Sequence, residues 1–366
     1  MIVLCTTWSA PLNSWLVDCP AWGLWLLSAA SVALLVFGAD RTVGSAVALA
    51  RSLGMSTVIV GATVVSLGTT MPEMFASVTA AFRGESGLAL GNAVGSIICD
   101  TGLIFGLCCV VAVLPLNRFV LNRHGWLQLG AGLLLASICV ALAAISGRVG
   151  TRAEADPGDW NTIPRAVGVV LVGLLAGYLY LSVRWARQHP ETVSELVAEA
   201  KPAPAGRPLA TLRSFVLLVA GLALIAVGCN LLIPAVKVLA EKHYHVPKDV
   251  LAVTVVAFGT SLPELATGIA AVAKGHKELM VGNIVGADIL NVLFVVGLSA
   301  CATELKIPPT FYFLHLPVMV LVLLLLRLYI FSSGGTFRRW QGVPLLLIYV
   351  GYVAALVVFA PHMAGR

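Results

Sequence analysis

The chain has 366 residues, of which 59% are hydrophobic and 11% are charged, and its formal net charge is +6. Because soluble domains carry roughly 25% charged residues, this composition leaves no room for a soluble domain and indicates a polytopic membrane protein. The basic residues lie in short connections between apolar runs, so the charge is interpreted as membrane topology and not as a nucleic-acid-binding surface. The eight cysteines lack metal-ligand spacing and are interpreted as small core residues.

Ten apolar runs are long enough to cross the membrane, since about 20 helical residues span the hydrocarbon layer. In chain order the predicted spans are 22–50, 56–82, 86–114, 120–146, 163–187, 211–241, 249–273, 278–302, 310–331 and 341–361. Residues 1–21 lack the positively charged start of a signal peptide and are predicted to form a tail. The polar and Pro/Ala-rich residues 188–210 are predicted to form a cytoplasmic linker, and 362–366 a C-terminal tail.

The chain contains an internal repeat at a constant offset of 191 residues. Segments 63–107 and 254–298 align without a gap and share 17 identical residues over 45 positions. The first and sixth predicted spans also correspond, so the repeat is predicted to cover five helices, 22–187 and 211–361. Because five is odd, the second half enters the membrane from the opposite side. The prediction is an all-α membrane protein with ten transmembrane helices in two inverted five-helix repeats.

The distribution of basic residues predicts the orientation. With the N-terminus outside, 13 lysines and arginines fall in the inner connections and nine in the outer ones. Positively charged loops stay on the cytoplasmic side, so we expect the N-terminus to lie outside the cell.

Each half carries a proline and a glutamate in the middle of an apolar span, within GTTMPE at 68–73 and GTSLPE at 259–264. Proline has no N–H and displaces the carbonyl four residues earlier, and in lipid an unpaired carbonyl needs another partner. The carbonyls expected to loosen are those of Gly68, Gly259, Ser66, Thr69, Ala257 and Thr260. A kink with a buried, protonated glutamate explains one copy, but a carboxylate at the membrane midplane costs about 2.5–3.5 kcal/mol. Matched broken helices therefore predict a midplane cation site, with the oxygen ligands that calcium prefers.

A second motif follows, GNAVGSIICD at 91–100 and GNIVGADILN at 282–291. Its paired glycines indicate close helix packing. Asp100 and Asp288 add two further intramembrane acids. For Asn92 and Asn283 two interpretations stay open: they hydrogen-bond between helices, or they line the ion path.

Together the motifs resemble prokaryotic sodium/calcium exchangers of the cation/calcium exchanger superfamily, whose two alpha repeats carry G-T-S-L-P-E followed by G-N-x-x-G-S-N. The resemblance covers essentially the whole chain. It implies that Glu73 and Glu264 bind calcium together with the carbonyls of Thr69 and Thr260. It also implies sodium sites made by the same glutamates with further ligands: Thr70, Ser261, the Ser66 and Ala257 carbonyls, Ser96, Asp100 and Asn291.

The chain departs from the family motif at three positions. Ile97 and Asp288 stand where the family commonly has asparagine, and Ala287 replaces a serine, which puts one sodium site in doubt. Asn92, Asn283, Asp288 and Ala287 are therefore predicted only as possible walls of the site.

The expected function is exchange of sodium for calcium across the inner membrane. The transported ions and the bilayer are the expected partners, with no cofactor, nucleic acid or obligate protein partner. Proton- or potassium-linked calcium exchange is the alternative, kept open by Asp100. An intramembrane enzyme using the two glutamates as acid and base lacks a recognisable nucleophile or metal motif, and a passive channel would need no counter-ion.

Overall fold

The computed structural model describes residues 16–53, 55, 57–116, 118–146, 160–188, 208–243 and 258–364. Most of the predicted N-terminal tail and linker, and the start of the predicted span 249–273, lie outside these ranges. The described helices are α1 Ala21–Leu53, α2 Thr57–Thr69, α3 Met71–Phe82, α4 Ser86–Val111, α5 Arg118–Ile145, α6 Arg165–Gln188, α7 Pro208–Val238, α8 Leu262–Ala273, α9 Lys277–Ala302, α10 Phe311–Ser332 and α11 Gly342–Ala364.

The described helices agree with a multi-pass membrane protein. Eight are long and apolar enough to cross a bilayer, and α2 with α3 makes a ninth span bent by 42°. The helix α8 is apolar but short, because it begins after a break at Ser261, and the residues before Phe258 lie outside the described part. For nine of the predicted spans, both ends lie within about four residues of the ends of a described helix. The tenth span, 249–273, is only partly described and stays a prediction.

Two helices form the centre of the molecule. In the most apolar windows of α4 and α9, 78% and 83% of residues are buried, compared with 22–44% in the other six long helices. The lipid-facing helices can be apolar all round, whereas the two central helices carry small and polar residues that contact neighbours on every side.

The helices α1 and α7 pack along each other through glycines. A Cβ on Gly38 would stand 2.9 Å from the Gly221 carbonyl oxygen, and one on Gly228 would stand 3.0 Å from the Ser31 carbonyl oxygen. Both distances are too short for a side chain, so glycine lets the two backbones touch. This pair lies outside the centre formed by α4 and α9.

Two small antiparallel sheets, which the sequence did not predict, join the halves crosswise. Strand β1, Leu114–Pro115 after α4, pairs with β4, Thr336–Phe337 before α11. Strand β2, Asn161–Ile163 before α6, pairs with β3, Leu305–Ile307 after α9. Each sheet therefore fastens the end of one central helix to the other half of the chain.

Candidate cation site

Both motif prolines break a helix at the corresponding residue. Thr70, with φ −79° and ψ −4°, separates α2 from α3, and Ser261, with φ −84° and ψ 7°, precedes α8. Each proline occupies one of the first two positions of the following helix, where its missing N–H is tolerated. Glu73 and Glu264 consequently lie in the first turns of α3 and α8, near the positive ends of those helices.

The carbonyls around the first break were expected to loosen, and this is wrong for Ser66. Its oxygen accepts a normal hydrogen bond from Thr70 N at 2.8 Å. The next backbone hydrogen bond across the break runs from Met74 N to Thr70 O at 3.1 Å. The acceptors of these two bonds are the carbonyls of Ser66 and Thr70 and not those of Gly68 or Thr69. Pro72 removes one donor only, so the helix re-forms on either side of it. Ala257, the counterpart of Ser66, lies outside the described residues.

The two glutamates are fully buried, with 0% of each residue exposed. None of their four carboxyl oxygens has a hydrogen-bond partner among the described residues. Buried polar groups normally have such partners, so a set of oxygens without them indicates a ligand of opposite charge. Other buried side chains of the predicted sodium sites share this property: the hydroxyls of Thr70 and Ser261, the carboxyl of Asp100 and the amide of Asn291.

These side chains come together from both halves of the chain. The charges that act most strongly on Glu73 are those of Glu264 and Asp100. The hydroxyls of Thr69 and Thr70 lie beside Glu264, and the hydroxyl of Ser261 lies beside Asp100. Four acids are buried in the described part of the chain, whereas the only arginine or lysine buried there, Arg327, bonds to Asn122 instead. The site therefore brings together the carboxyl groups of Glu73, Glu264 and Asp100, the acidic oxygens that a cation site requires.

The two motif asparagines connect the halves. Asn92 accepts a hydrogen bond from the Thr260 hydroxyl at 2.9 Å and donates to Ser77 Oγ at 2.9 Å and the Glu73 carbonyl at 3.2 Å. Asn283 repeats the arrangement from the other side. Its Oδ1 accepts from the Thr69 hydroxyl at 3.4 Å, and its Nδ2 donates to Thr267 Oγ1 at 3.3 Å.

The structure thus places both asparagines in hydrogen bonds between helices, and their role as walls of the ion path stays a prediction. The sequence did not identify Ser77 and Thr267, which lie one turn beyond the glutamates and receive the amide groups. Because the hydroxyls of Thr69 and Thr260 are occupied, any contribution of these threonines to a cation comes most readily from their carbonyls.

Ser96 and Ala287 occupy equivalent positions with different chemistry. Both residues are fully buried, and Ser96 Oγ stands 3.5 Å from Thr260 Oγ1. Ala287 brings no oxygen. Its neighbour Gly286 packs closely, since a Cβ there would stand 2.4 Å from the Ala62 carbonyl oxygen and 2.6 Å from Ser66 Oγ. The second-half motif therefore presses against α2 through backbone contact.

Widened π-helical turns begin beside Asp100 and at Asn291. They run over Cys99–Phe105 in α4 and over Asn291–Val296 in α9, at corresponding positions of the repeat. Such turns shift the hydrogen-bond pattern by one residue and recur at functional sites. They were not predicted, because no proline or other local signal marks them.

Asp288, a predicted possible wall of the site, has partners of its own. Its Oδ2 accepts from Thr101 Oγ1 at 2.5 Å and from Gln128 Nε2 at 2.6 Å. The side chain thereby joins α9 to α4 and α5 as a buried contact between helices, and its position in the wall of the site stays a prediction. Gln128 was not predicted from the sequence, although an amide in the middle of the apolar span 120–146 is a detectable signal.

The donor set fits a hard cation. Within the described ranges no three His, Cys, Asp or Glu side chains form a group able to hold a metal ion by themselves. The unpartnered atoms are carboxyl, hydroxyl and side-chain amide oxygens, which suit calcium and sodium and do not suit zinc or copper.

Comparison with known proteins agrees with this chemistry. The family model for the sodium/calcium exchanger protein matches residues 23–184 and 213–358. The inner membrane protein YrbG of Escherichia coli K12 is 32% identical over 90% of this chain and 95% of its own length. The sodium/calcium exchanger MaX1 of Methanosarcina acetivorans is 27% identical over 88% of this chain and 95% of its own.

The fold also matches a solved structure. The sodium-calcium exchanger NCX_Mj superposes with a TM-score of 0.74 at 27% sequence identity, covering 92% of this chain and 98% of that one. The family model covers both halves, including both broken-helix motifs. The chain belongs to the sodium/calcium exchanger family of the cation/calcium exchanger superfamily.

Proposed function

We propose that this protein exchanges sodium for calcium across the membrane by alternating access. The observation that carries the proposal is the pair of buried glutamates, Glu73 and Glu264, at matching helix breaks with no partner among the described residues. MaX1 and NCX_Mj, both named as sodium/calcium exchangers, support the choice of ions.

Calcium binds between the two halves in this proposal. The carboxylates of Glu73 and Glu264 balance its two charges, and the Thr69 and Thr260 carbonyls add neutral oxygens. The cross-links to Asn283 and Asn92 support this role, because they orient both threonines and engage their hydroxyls elsewhere. Two carboxylates suffice for one divalent ion, and the hydration lost on entry is replaced by protein oxygens.

Sodium ions occupy overlapping sites and release calcium by competing for the same carboxylates. The ligands we assign to sodium are the glutamates with Thr70, Ser261, Ser66, Ala257, Ser96, Asp100 and Asn291. Four of these contribute side-chain oxygens that are buried and lack hydrogen-bond partners in the described structure, which supports the assignment: Thr70, Ser261, Asp100 and Asn291. Competition for shared charge makes the two ions exclude each other, as exchange requires.

We assign ten spans in two inverted repeats, with the N-terminus on the outer face of the inner membrane. Because the repeats are inverted, the site would have one exit to each side of the membrane, and the two exits would be related by symmetry. The glycine-lined pair α1 and α7 is the element that we expect to move against the centre formed by α4 and α9. The backbones of α1 and α7 are in close contact at Gly38 and Gly221. Because they are packed this closely, we expect the two helices to move together as one unit.

The experiment that tests the function uses vesicles containing the purified protein. Vesicles loaded with sodium and diluted into sodium-free medium should take up calcium, and vesicles loaded with choline should not. Equal uptake in both would identify a passive channel and overturn the exchange proposal.

Potassium- or proton-linked calcium exchange is the second candidate, because Asp100 adds a third carboxylate with two unpartnered oxygens next to Glu264. Potassium or a pH gradient in the same vesicles decides between the two. Uptake that needs potassium, or that a pH gradient drives without sodium, would favour the second candidate.

A further inference from the structure

A buried tyrosine reaches the backbone of α2 just before the candidate cation site. Tyr178, in the middle of α6, is 3% exposed, and its hydroxyl donates to the Ala62 carbonyl at 2.7 Å. Ala62 lies within a widened π-helical turn, Gly61–Val65, which directly precedes Ser66. The hydroxyl therefore holds the backbone of α2 four residues before the carbonyl that we assign to sodium.

The π-helical turn makes the Ala62 carbonyl available to a side chain. In a regular α-helix the Ser66 N–H would donate to the Ala62 carbonyl. Here it bonds to the carbonyls of Gly61 and Thr63 instead. A buried carbonyl needs a donor, and the Tyr178 hydroxyl supplies one. Tyr178 thus favours the shifted hydrogen-bond pattern, which sets the rotation about the helix axis of the residues that follow in α2.

A histidine orients the tyrosine in turn. His124 of α5 is buried, its Nδ1 stands 3.3 Å from the Tyr178 hydroxyl oxygen, and the two rings pack edge to face with centroids 5.7 Å apart. The hydroxyl has one proton, which it donates to the Ala62 carbonyl at the shorter distance, so His124 Nδ1–H is the donor at the longer contact. One chain of hydrogen bonds therefore runs from α5 through α6 to the backbone of α2.

The contact between a histidine and a tyrosine recurs in the second half of the chain. His315 lies 191 positions after His124, which is the offset of the repeat, and its Nδ1 stands 2.7 Å from the hydroxyl oxygen of Tyr352 in α11. The repeat counterpart of Ala62 is Val253, which lies outside the described residues, so only the contact in the first half can be followed to the backbone. The recurrence indicates that the contact belongs to the structure that both halves share.

We propose that Tyr178 is a positioning residue for sodium binding, which acts through the Ala62 carbonyl and is oriented by His124. Its hydroxyl bonds to the backbone and keeps the π-helical turn in place, and the turn sets the direction of the Ser66 carbonyl. Groups that orient the ligands of a cation affect its affinity without touching it. The proposal rests on the proposed function, since it takes the Ser66 carbonyl as a sodium ligand. Because Ser66 follows the turn directly, whereas the assigned calcium ligands begin at Thr69, sodium affinity should depend on Tyr178 more than calcium affinity does.

The test compares Tyr178→Phe with Tyr180→Phe in the full-length protein. Both changes remove one hydroxyl from α6, but Tyr180 is 66% exposed. Amide hydrogen exchange over residues 61–70 reports on the turn without any transport, and it should become faster in Tyr178→Phe but not in Tyr180→Phe. In vesicles, Tyr178→Phe should lower the apparent sodium affinity about fivefold, the effect of one lost hydrogen bond, and the apparent calcium affinity less. The exchange rate should recover at saturating sodium, because the ligands are displaced and not removed.

With an active wild type, three results would overturn the proposal alone. One is unchanged amide exchange in Tyr178→Phe. Another is faster exchange with an unchanged sodium affinity. The third is an equal loss of sodium and calcium affinity, which would indicate a purely structural role. A wild type without sodium-driven calcium uptake would overturn the proposed function and this proposal together.

A pair of variants at His124 keeps the proposal testable if Tyr178→Phe does not fold. His124→Asn has an amide that can donate from about the position of Nδ1, so it should keep the sodium affinity of the wild type. His124→Leu removes the donor that orients the Tyr178 hydroxyl and should lower the sodium affinity. Equal sodium affinities in these two variants would contradict the proposal.

Discussion

The hydroxyl of Thr260 donates to Asn92 Oδ1 at 2.9 Å and thereby joins the two halves of the protein beside the buried glutamates. The matching bond, from Thr69 to Asn283 Oδ1, measures 3.4 Å. The arrangement repeats in both directions but not with equal geometry. A hydrogen bond at the longer distance is weaker, so the two cross-links contribute unequally to the shape of the site.

We predict that Thr260→Val weakens apparent calcium affinity more than Thr69→Val does. Valine keeps the shape and the carbonyl but removes the hydroxyl, which leaves Asn92 Oδ1 without this buried donor. A lost hydrogen bond of this kind costs about 1 kcal/mol, or about fivefold in affinity, and the longer Thr69 bond should cost less. Calcium titration of the exchange rate in both variants checks the ranking. Equal losses, or a greater loss in Thr69→Val, would contradict the unequal cross-links.

The difference between Ser96 and Ala287 predicts unequal sodium sites. Ala287→Ser should raise apparent sodium affinity, because the hydroxyl adds a ligand where the first half already has one. Ser96→Ala should lower it by roughly 1–3 kcal/mol and affect calcium less. Sodium titrations of calcium exchange measure both effects. An unchanged sodium affinity in Ala287→Ser would mean that this position is not a ligand, or that water already fills it.

Asp288 should behave differently from the site acids. Since Thr101 and Gln128 both donate to its Oδ2, Asp288→Asn can keep those contacts through its amide oxygen and should retain calcium transport within about threefold. Asp288→Leu leaves both donors unpartnered and should lower thermal stability by about 1–3 kcal/mol. Transport and melting curves of the two variants decide. If Asp288→Asn folds normally but abolishes transport, the carboxylate takes part in ion binding after all.

An ion pair joins α1 to the end of α8. Lys274 Nζ contacts Asp40 Oδ1 at 2.6 Å and the Asp40 carbonyl at 2.8 Å. In the repeat, Arg83 corresponds to Lys274, and Asn230 corresponds to Asp40 when Gly38 of the first span is aligned with Gly228 of the sixth, so an amide replaces the acid. We expect the pair to favour the access state in which it forms, by at most about 1 kcal/mol because both side chains are partly exposed.

Asp40→Asn should therefore shift the balance of access states by up to about fivefold, since it removes the ion pair. Asn230→Asp places an acid at the repeat position of Asp40, where it can pair with Arg83 in the opposite access state, and should shift the balance in the other direction. The labelling rate of a single cysteine in the ion path, measured from each side of the membrane, reports the balance. If both variants shift the balance of access states in the same direction, the proposal that corresponding residues favour opposite access states is wrong.

Local signals predicted the helix breaks and the burial of the glutamates well. Pro72 and Pro263 act on their own neighbours, so the bends at Thr70 and Ser261 could be located from the sequence. The repeat then paired Glu73 with Glu264, because two unrelated kinks would not carry the same residues at the same spacing. Eight apolar runs became long helices for the same local reason, since their length and hydropathy suffice.

Contacts between distant residues could not be predicted in this way. Gln128 bonds to Asp288, which lies 160 positions away in the chain, and the sequence around either residue does not indicate this pairing. The pairing of Leu114 with Phe337 involves strands of two residues, too short for an alternating pattern. The predicted loosening of the Ser66 carbonyl was wrong because Thr70 N donates a hydrogen bond to it. In each case the sequence shows the polar or apolar residue but does not show which residue it contacts.

The central claim is that Glu73 and Glu264 together hold the transported calcium ion. The most direct measurement is sodium-driven calcium uptake into vesicles containing Glu73→Gln or Glu264→Gln, beside Glu85→Gln as an exposed control with the same change. Glutamine keeps the size and removes the charge, so uptake should vanish in each site variant and persist in the control, while all three variants melt cooperatively. Wild-type uptake in either folded site variant would contradict the account.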